Sequence, residues 1–248
     1  MHMGAARHRL PLVLMYHSIA PCDEDPFLIT VHPARFEQQM RWLRGRGLRG
    51  TSMRELLEAR RRGRSAGLVG LTFDDGYADF AVHALPVLTR YRFTATVFVI
   101  AGRLGGDNGW EAEGPRKTLL TTDEIRGIAA AGMEIASHGL RHVKLSAASV
   151  TALAEEVARS REILRAITGE EIGGFCYPYG DLNARAVDAV RAAGYDYGCA
   201  VSLSEFLGQY ALPRTYVGDR DASLRMAAKR LRHHLISQGH SGDLGGAF

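Results

Sequence analysis

Short apolar runs rich in Val, Leu and Phe alternate along the chain with stretches in which apolar residues recur every three or four positions. That rhythm predicts βα units around a parallel sheet or barrel. The runs place strands at Leu12–Tyr16, Leu68–Phe73, Thr94–Ile100, Met133–Ser137, Gly174–Tyr177, Tyr197–Val201 and Leu212–Val217. Ser52 followed three residues later by Glu55 predicts a capping box that opens a helix running to about Arg62. Val150, Leu153, Val157, Leu164 and Ile167 share one face of the longest helical pattern, which predicts a stripe packed on the sheet. The Gly-rich stretch Gly102–Gly114 reads as a surface loop carrying Trp110 and Glu111.

No repeat or long linker divides the 248 residues, a length that one α/β barrel fills. The expectation is one catalytic domain over residues 1–236 and a polar tail from Ser237 to Phe248. A hydrophobic share of 46% without a membrane-length apolar run predicts a globular protein with no membrane span. The Leu10–Tyr16 run contains Pro11 and ends in His17 and Ser18, so it reads as a core strand and not a signal peptide. A cytoplasmic location follows, with Cys22, Cys176 and Cys199 reduced. The net charge of +4 raises nucleic-acid binding, but acidic residues are interspersed and the basic run Arg60–Arg64 closes a helix, so solvated faces explain it.

Candidate chemistry begins where the run Leu68–Phe73 meets Asp74, Asp75 and Gly76, because strand C-termini carry the sites of α/β folds. Asp-Asp-Gly by itself equally makes a turn and a helix cap. A second strand ends on His138, with His142 four residues on; alone, that spacing arises by chance in a chain with 10 histidines. Together, Asp75, His138 and His142 supply the two imidazoles and one carboxylate of a catalytic zinc site with a position open for water. Oxygen-rich magnesium sites of phosphoryl-transfer enzymes do not call for the histidine pair.

The segments Thr72-Phe-Asp-Asp-Gly-Tyr77, Ser137-His-Gly-Leu-Arg-His142 and Phe175-Cys-Tyr-Pro-Tyr-Gly180 resemble the polysaccharide deacetylases of the NodB-homology group, carbohydrate esterase family four. The likeness extends from Leu14 to about Val217 and, with Met15-Tyr-His-Ser-Ile19, to a branch bearing an early histidine. It implies a distorted (β/α)7 barrel that removes acetyl groups with zinc or another divalent metal, cobalt, nickel and manganese included. It also implies Asp74 as the catalytic base and Asp75, His138 and His142 as the ligands.

His17, at the end of the first strand, is the candidate acid for the leaving amine; a structural histidine is its alternative reading. The resemblance to Tyr-Pro-Tyr-Gly variants implies that Tyr179 offers its backbone N–H to an oxyanion, with Pro178 shaping the turn. Cys176 stands where the family has an arginine and reads as a small buried hydrophobe. Arg214, in Leu212-Pro-Arg-Thr215, is the candidate to pair with Asp74 in its stead. The family's tryptophan motif is not visible after Tyr195, and His32, His83, His233, His234 and His240 read as solvated. The expected activity is hydrolysis of the N-acetyl amide of an amino sugar, in a polysaccharide, oligosaccharide or small glycoside. A hydrolase of another small amide or ureide, and a catalytically silent carbohydrate-binding module, are the other readings.

Overall fold

The computed structural model describes residues 10–239. Its strands are β1 (Val13–Tyr16), β2 (Ser18–Ile19), β3 (Thr30–Val31), β4 (Arg49–Thr51), β5 (Leu68–Phe73), β6 (Thr96–Val99), β7 (Glu134–Ser137), β8 (Gly174–Cys176), β9 (Tyr197–Cys199) and β10 (Thr215–Tyr216). The main sheet runs β10-β1-β5-β6-β7-β8-β9, with β4 against β5, and every pairing is parallel. Leu212 bridges to Cys199 of β9 while Thr215 pairs with Leu14 of β1, so one short segment links the two ends of the curl. Seven strand positions therefore surround the axis, the distorted (β/α)7 arrangement, with β2 and β3 as a separate ribbon at the rim.

Burial on both faces explains the apolar runs: every residue of β1 and β6 is buried. One layer, including Phe36, Phe73, Leu88 and Leu164, packs helices on the outside of the sheet; a smaller cluster with Met53, Phe98, Ala136 and Tyr197 fills the inside. The first turn of helix Met53–Arg61 closes the N-terminal end of the barrel. Met53 N–H donates to Thr96 Oγ1 (2.8 Å) and Arg54 N–H to Glu134 Oε2 (2.9 Å). Glu134, fully inside, also accepts from the hydroxyls of Thr96 (2.6 Å) and Tyr197 (3.0 Å). Gly174 has no Cβ because the Tyr197 hydroxyl occupies that space.

Several expectations are corrected. The strand expected over Leu212–Val217 shrinks to Thr215–Tyr216, since Pro213 has no N–H for a ladder. Ser52 caps its helix by accepting from Glu55 N–H, but the Glu55 carboxylate binds Arg49 and Thr94 instead of returning, so the box is half formed. The full box belongs to Thr121 and Glu124. The helical stretch from Val150 to Thr168 contains a π-turn at Glu155–Arg159. Leu153, Val157 and Leu164 are buried on the expected face, while Val150, the first residue of the helix, is 73% exposed. The C-terminal helix Ser223–Gly239 passes Ser237, where the tail is expected, and Ser237 is buried. His233 is part-buried against the Leu10 carbonyl (3.1 Å), whereas His32 and His234 are exposed; His240 lies outside the described residues.

Candidate active site at the C-terminal rim

β5 delivers the two carboxylates. Asp74 N–H still donates to the Tyr16 carbonyl as if in the ladder (2.9 Å), and the chain then turns through Asp75 (φ 70°) and Gly76 (φ 69°). Two successive left-handed residues swing Asp75 out of strand alternation, so both carboxylates face the axis. A Cβ on Gly76 would stand 3.3 Å from the Val99 Cα, so glycine is required there for space as well as for φ.

β7 delivers His138, whose N–H donates to the Val99 carbonyl (2.8 Å). Its ring Nδ1 lies 2.9 Å from the Cys176 carbonyl, a contact that fixes the ring with Nε2 turned inward, the nitrogen open to a metal when the ring is neutral. His142, itself at φ 63°, brings its Nε2 to the same place. Asp75 Oδ1 lies 3.3 Å from His138 Nε2 and 3.3 Å from His142 Nε2. Three donors around an ion at zinc–ligand distances, in tetrahedral directions, stand roughly 3.3 Å apart. The residues present therefore fit a divalent metal.

Charge supports the same fit. Burial acts to raise the Asp75 carboxyl, but hydrogen bonds to the two imidazoles hold it well below the usual range. Burial acts to lower His138 as well, yet its bond to Asp75 and the charges of Asp74 and Asp75 lift it above the ordinary imidazole value. Burial lowers His142, keeping it neutral as a ligand must be. Arg214 balances one of the two carboxylates; the other calls for a further cation.

Arg214 is fully enclosed and forks onto Asp74, Nη1 to Oδ1 at 2.6 Å and Nη2 to Oδ2 at 2.7 Å. Nη1 also donates to Thr72 Oγ1, Nε to the Ala200 carbonyl and Nη2 to Cys176 Sγ at 3.0 Å. Burial acts to raise Asp74, and the charge and hydrogen bonds of Arg214 bring it below its ordinary value. Cys176, read from sequence as a hydrophobe, is buried with its thiol pushed well above the usual range, and its short side chain leaves room for the guanidinium. His17 lies at the same rim, its Nε2 3.9 Å from Asp74 Oδ2, beyond a hydrogen bond. Pro178 opens a 3₁₀ turn in which Tyr179 has φ 59°, and the Tyr179 ring stands 4.4 Å from that of His142.

The loop after β6 supplies what sequence reading missed. Trp110, half-buried on a loop that lies at the surface as expected, packs its ring 4.7 Å from His142, and Glu111 lies near enough for its charge to act on His142 and Tyr77. The available signal was position: a loop following a strand's C-terminal end belongs to the active rim. Lys117 of the same segment ties the loop down, donating to Ser18 Oγ (2.6 Å) and Thr30 Oγ1 (2.8 Å), while Asp79 accepts from Ser18 Oγ (2.5 Å).

The polysaccharide deacetylase family model matches residues 61–198, the span that carries all four central residues. YxkH of Bacillus subtilis is 30% identical over 214 residues, covering 84% of this chain and 71% of that protein. The poly-β-1,6-N-acetyl-D-glucosamine N-deacetylase of Staphylococcus aureus is 24% identical over 203 residues, 77% of this chain and 68% of the relative. Among solved structures, the Streptococcus pyogenes deacetylase PplD in complex with acetate superposes with a TM-score of 0.75 at 24% identity, covering 89% of this chain and 97% of PplD. IcaB from Ammonifex degensii gives 0.71 at 25% identity, with 89% and 97% coverage. With a matching family model over more than half its length and a relative at 30% identity along most of it, this chain belongs to the polysaccharide deacetylase family.

Proposed function

We propose that the protein is a metal-dependent deacetylase that hydrolyses the N-acetyl amide of an amino sugar held in a polysaccharide, oligosaccharide or small glycoside. The observation that carries this is the meeting of Asp75, His138 and His142, with Asp75 Oδ1 3.3 Å from each imidazole Nε2, beside a second, separately neutralised carboxylate. Asp75, His138 and His142 would hold the ion, zinc first and cobalt, nickel or manganese by the same donors. Once bound, it supplies Lewis-acid polarisation of the acyl oxygen and acidification of a water.

The protein's residues do the rest. Asp74, kept ionised by Arg214, accepts the proton of the attacking water. Arg214 holds both Asp74 oxygens in one plane, so the base cannot turn away. The Tyr179 N–H, presented by the Pro178 turn, donates to the oxygen of the tetrahedral species. His17, whose Nε2 lies 3.9 Å from Asp74 Oδ2, gives a proton to the departing amine. The chain acts as one catalytic domain through the helix Ser223–Gly239 in this reading, and three unpaired thiols suit a reducing, cytosolic setting.

Metal content measured on the purified protein, paired with acetate release from N-acetylglucosamine oligomers, tests the proposal. Stoichiometric zinc or cobalt with acetate release proportional to metal loading is expected. Full metal loading with no release from any N-acetylated saccharide, or release unaffected by chelation, overturns it.

A further inference from the structure

At the opposite end of the barrel from the active site lies a cavity of about 720 Å³, bounded by Leu12 and by Leu68 and Val69 at the start of β5. Its apolar wall includes Trp42 and Leu56. Trp42 is 7% exposed, and its indole Nε1 is buried with no acceptor among the described residues. Its basic lining is Arg46 and Arg230, beside the imidazoles of His233 and His234, and no Asp or Glu among the described residues lines it. Arg46 stacks its guanidinium 4.2 Å over the Trp42 ring. A hydrogen-bond donor without an acceptor among the described residues, an apolar wall and a rim bearing Arg46 and Arg230 together suit an anionic amphiphile.

The helix Ser223–Gly239 borders the cavity and continues the pattern outside it. Leu224, Leu231 and Leu235 are 87%, 60% and 60% exposed. At 100° per residue all three fall within a narrow stripe, about 16 Å long at 1.5 Å per residue. Arg225 and Arg232 flank the stripe on one side, Arg230 and His234 on the other, and the helix contains no carboxylate. Met226 and Ser237 make its buried face. A helix with a basic border around an outward apolar stripe lies in the interface of an anionic bilayer. Two copies joined along this stripe would bring arginine borders of like charge together.

We propose that this helix and the cavity beside it dock the protein on an anionic phospholipid bilayer, with the leucines in the acyl boundary and the arginines on the phosphates. This inference does not depend on the reaction the catalytic rim performs.

Vesicle cosedimentation of the full chain tests it, using phosphatidylcholine with and without 30 mol% phosphatidylglycerol, a fraction of roughly the size that gives an anionic surface potential. Binding to the anionic vesicles alone is expected, weakening about five-fold for each of Arg225→Gln, Arg230→Gln and Arg232→Gln. Replacing Leu224, Leu231 and Leu235 together by Ser should remove binding while the fold, judged by circular dichroism, is kept. In a Trp110→Phe background, brominated acyl chains should quench the remaining Trp42. No binding to anionic vesicles, equal binding to neutral ones, or indifference to the leucine and arginine changes overturns the proposal. So does a dimer in sedimentation velocity that the leucine variant dissolves without altering vesicle binding, which assigns the face to a second copy.

Discussion

Arg214 and Asp74, 140 residues apart in the chain, share two parallel hydrogen bonds of 2.6 and 2.7 Å inside the barrel. The arginine arrives on the segment that links β9 to β1 and reaches past β1 to the end of β5. A charge pair so enclosed is worth little against two apolar residues but much against one missing partner, because the survivor is left ionised without water.

Arg214→Met should therefore destabilise the fold by about 3–5 kcal/mol in urea melts near neutral pH. Asp74 titrates below its ordinary value in the native protein, so its ionised pair contributes stability above the unfolded carboxylate range and loses it as pH falls through the lower folded value. Without Arg214, burial prevails and the Asp74 value rises. The acid limb of kcat/KM should then move to higher pH. An unmoved acid limb together with wild-type stability would refute the role of Arg214 as the residue that orients and charges the base.

The two aspartates should separate by what they lose. Asp75→Asn removes a charged donor from the three-residue cluster and should lower metal affinity, whereas Asp74→Asn should retain metal and abolish turnover. His138→Ala and His142→Ala should lose both metal and acetate release. Mass spectrometry of metal content alongside acetate release checks all four; equal metal loss in the two Asp variants would end the division of labour.

How far the site could be read from sequence depends on how local each relationship is. Asp74, Asp75, His138 and His142 follow strands directly, so two short segments and the rule that strand C-termini share a rim were enough to bring them together. Arg214 was legible as a residue near a strand end, but only the sheet closure shows why it reaches Asp74 past the small Cys176. Trp110 was hidden because a Gly-rich loop carries no periodicity to say which way it folds. Val150 fits the apolar spacing but opens its helix, and spacing alone does not say that this first residue stands clear of the sheet. Glu55 satisfied a capping pattern yet found Arg49 and Thr94, partners from other elements that no local rule includes.

Trp110 should matter through His142. The Nδ1 of that ring is buried without a partner among the described residues, unlike His138, so ring packing and not a hydrogen bond sets its orientation. Trp110→Ala should weaken metal binding roughly ten-fold, the lower end for loss of a ligand-orienting neighbour, and Trp110→Phe should restore most of it. Chelator competition measures this. Unchanged affinity in the alanine variant would make Trp110 a residue of the substrate groove alone.

His17 offers the sharpest test of mechanism, because it sits at the rim without serving the metal cluster or hydrogen-bonding Asp74. Its side chain is 18% exposed, its Nε2 lies 3.9 Å from Asp74 Oδ2, and its Nδ1 has no partner among the described residues. A histidine held only for structure would have its ring nitrogens satisfied, as His138 does through the Cys176 carbonyl. If His17 protonates the leaving amine, His17→Ala should keep metal content and thermal stability while reducing amide hydrolysis roughly 10²–10⁴-fold. The loss should shrink as the leaving group becomes better able to depart unprotonated, so an activated aryl acetate should be cleaved at close to the wild-type rate. Equal losses on amide and aryl ester, or an unimpaired amide rate, would assign His17 to packing and place the proton donor elsewhere on the rim.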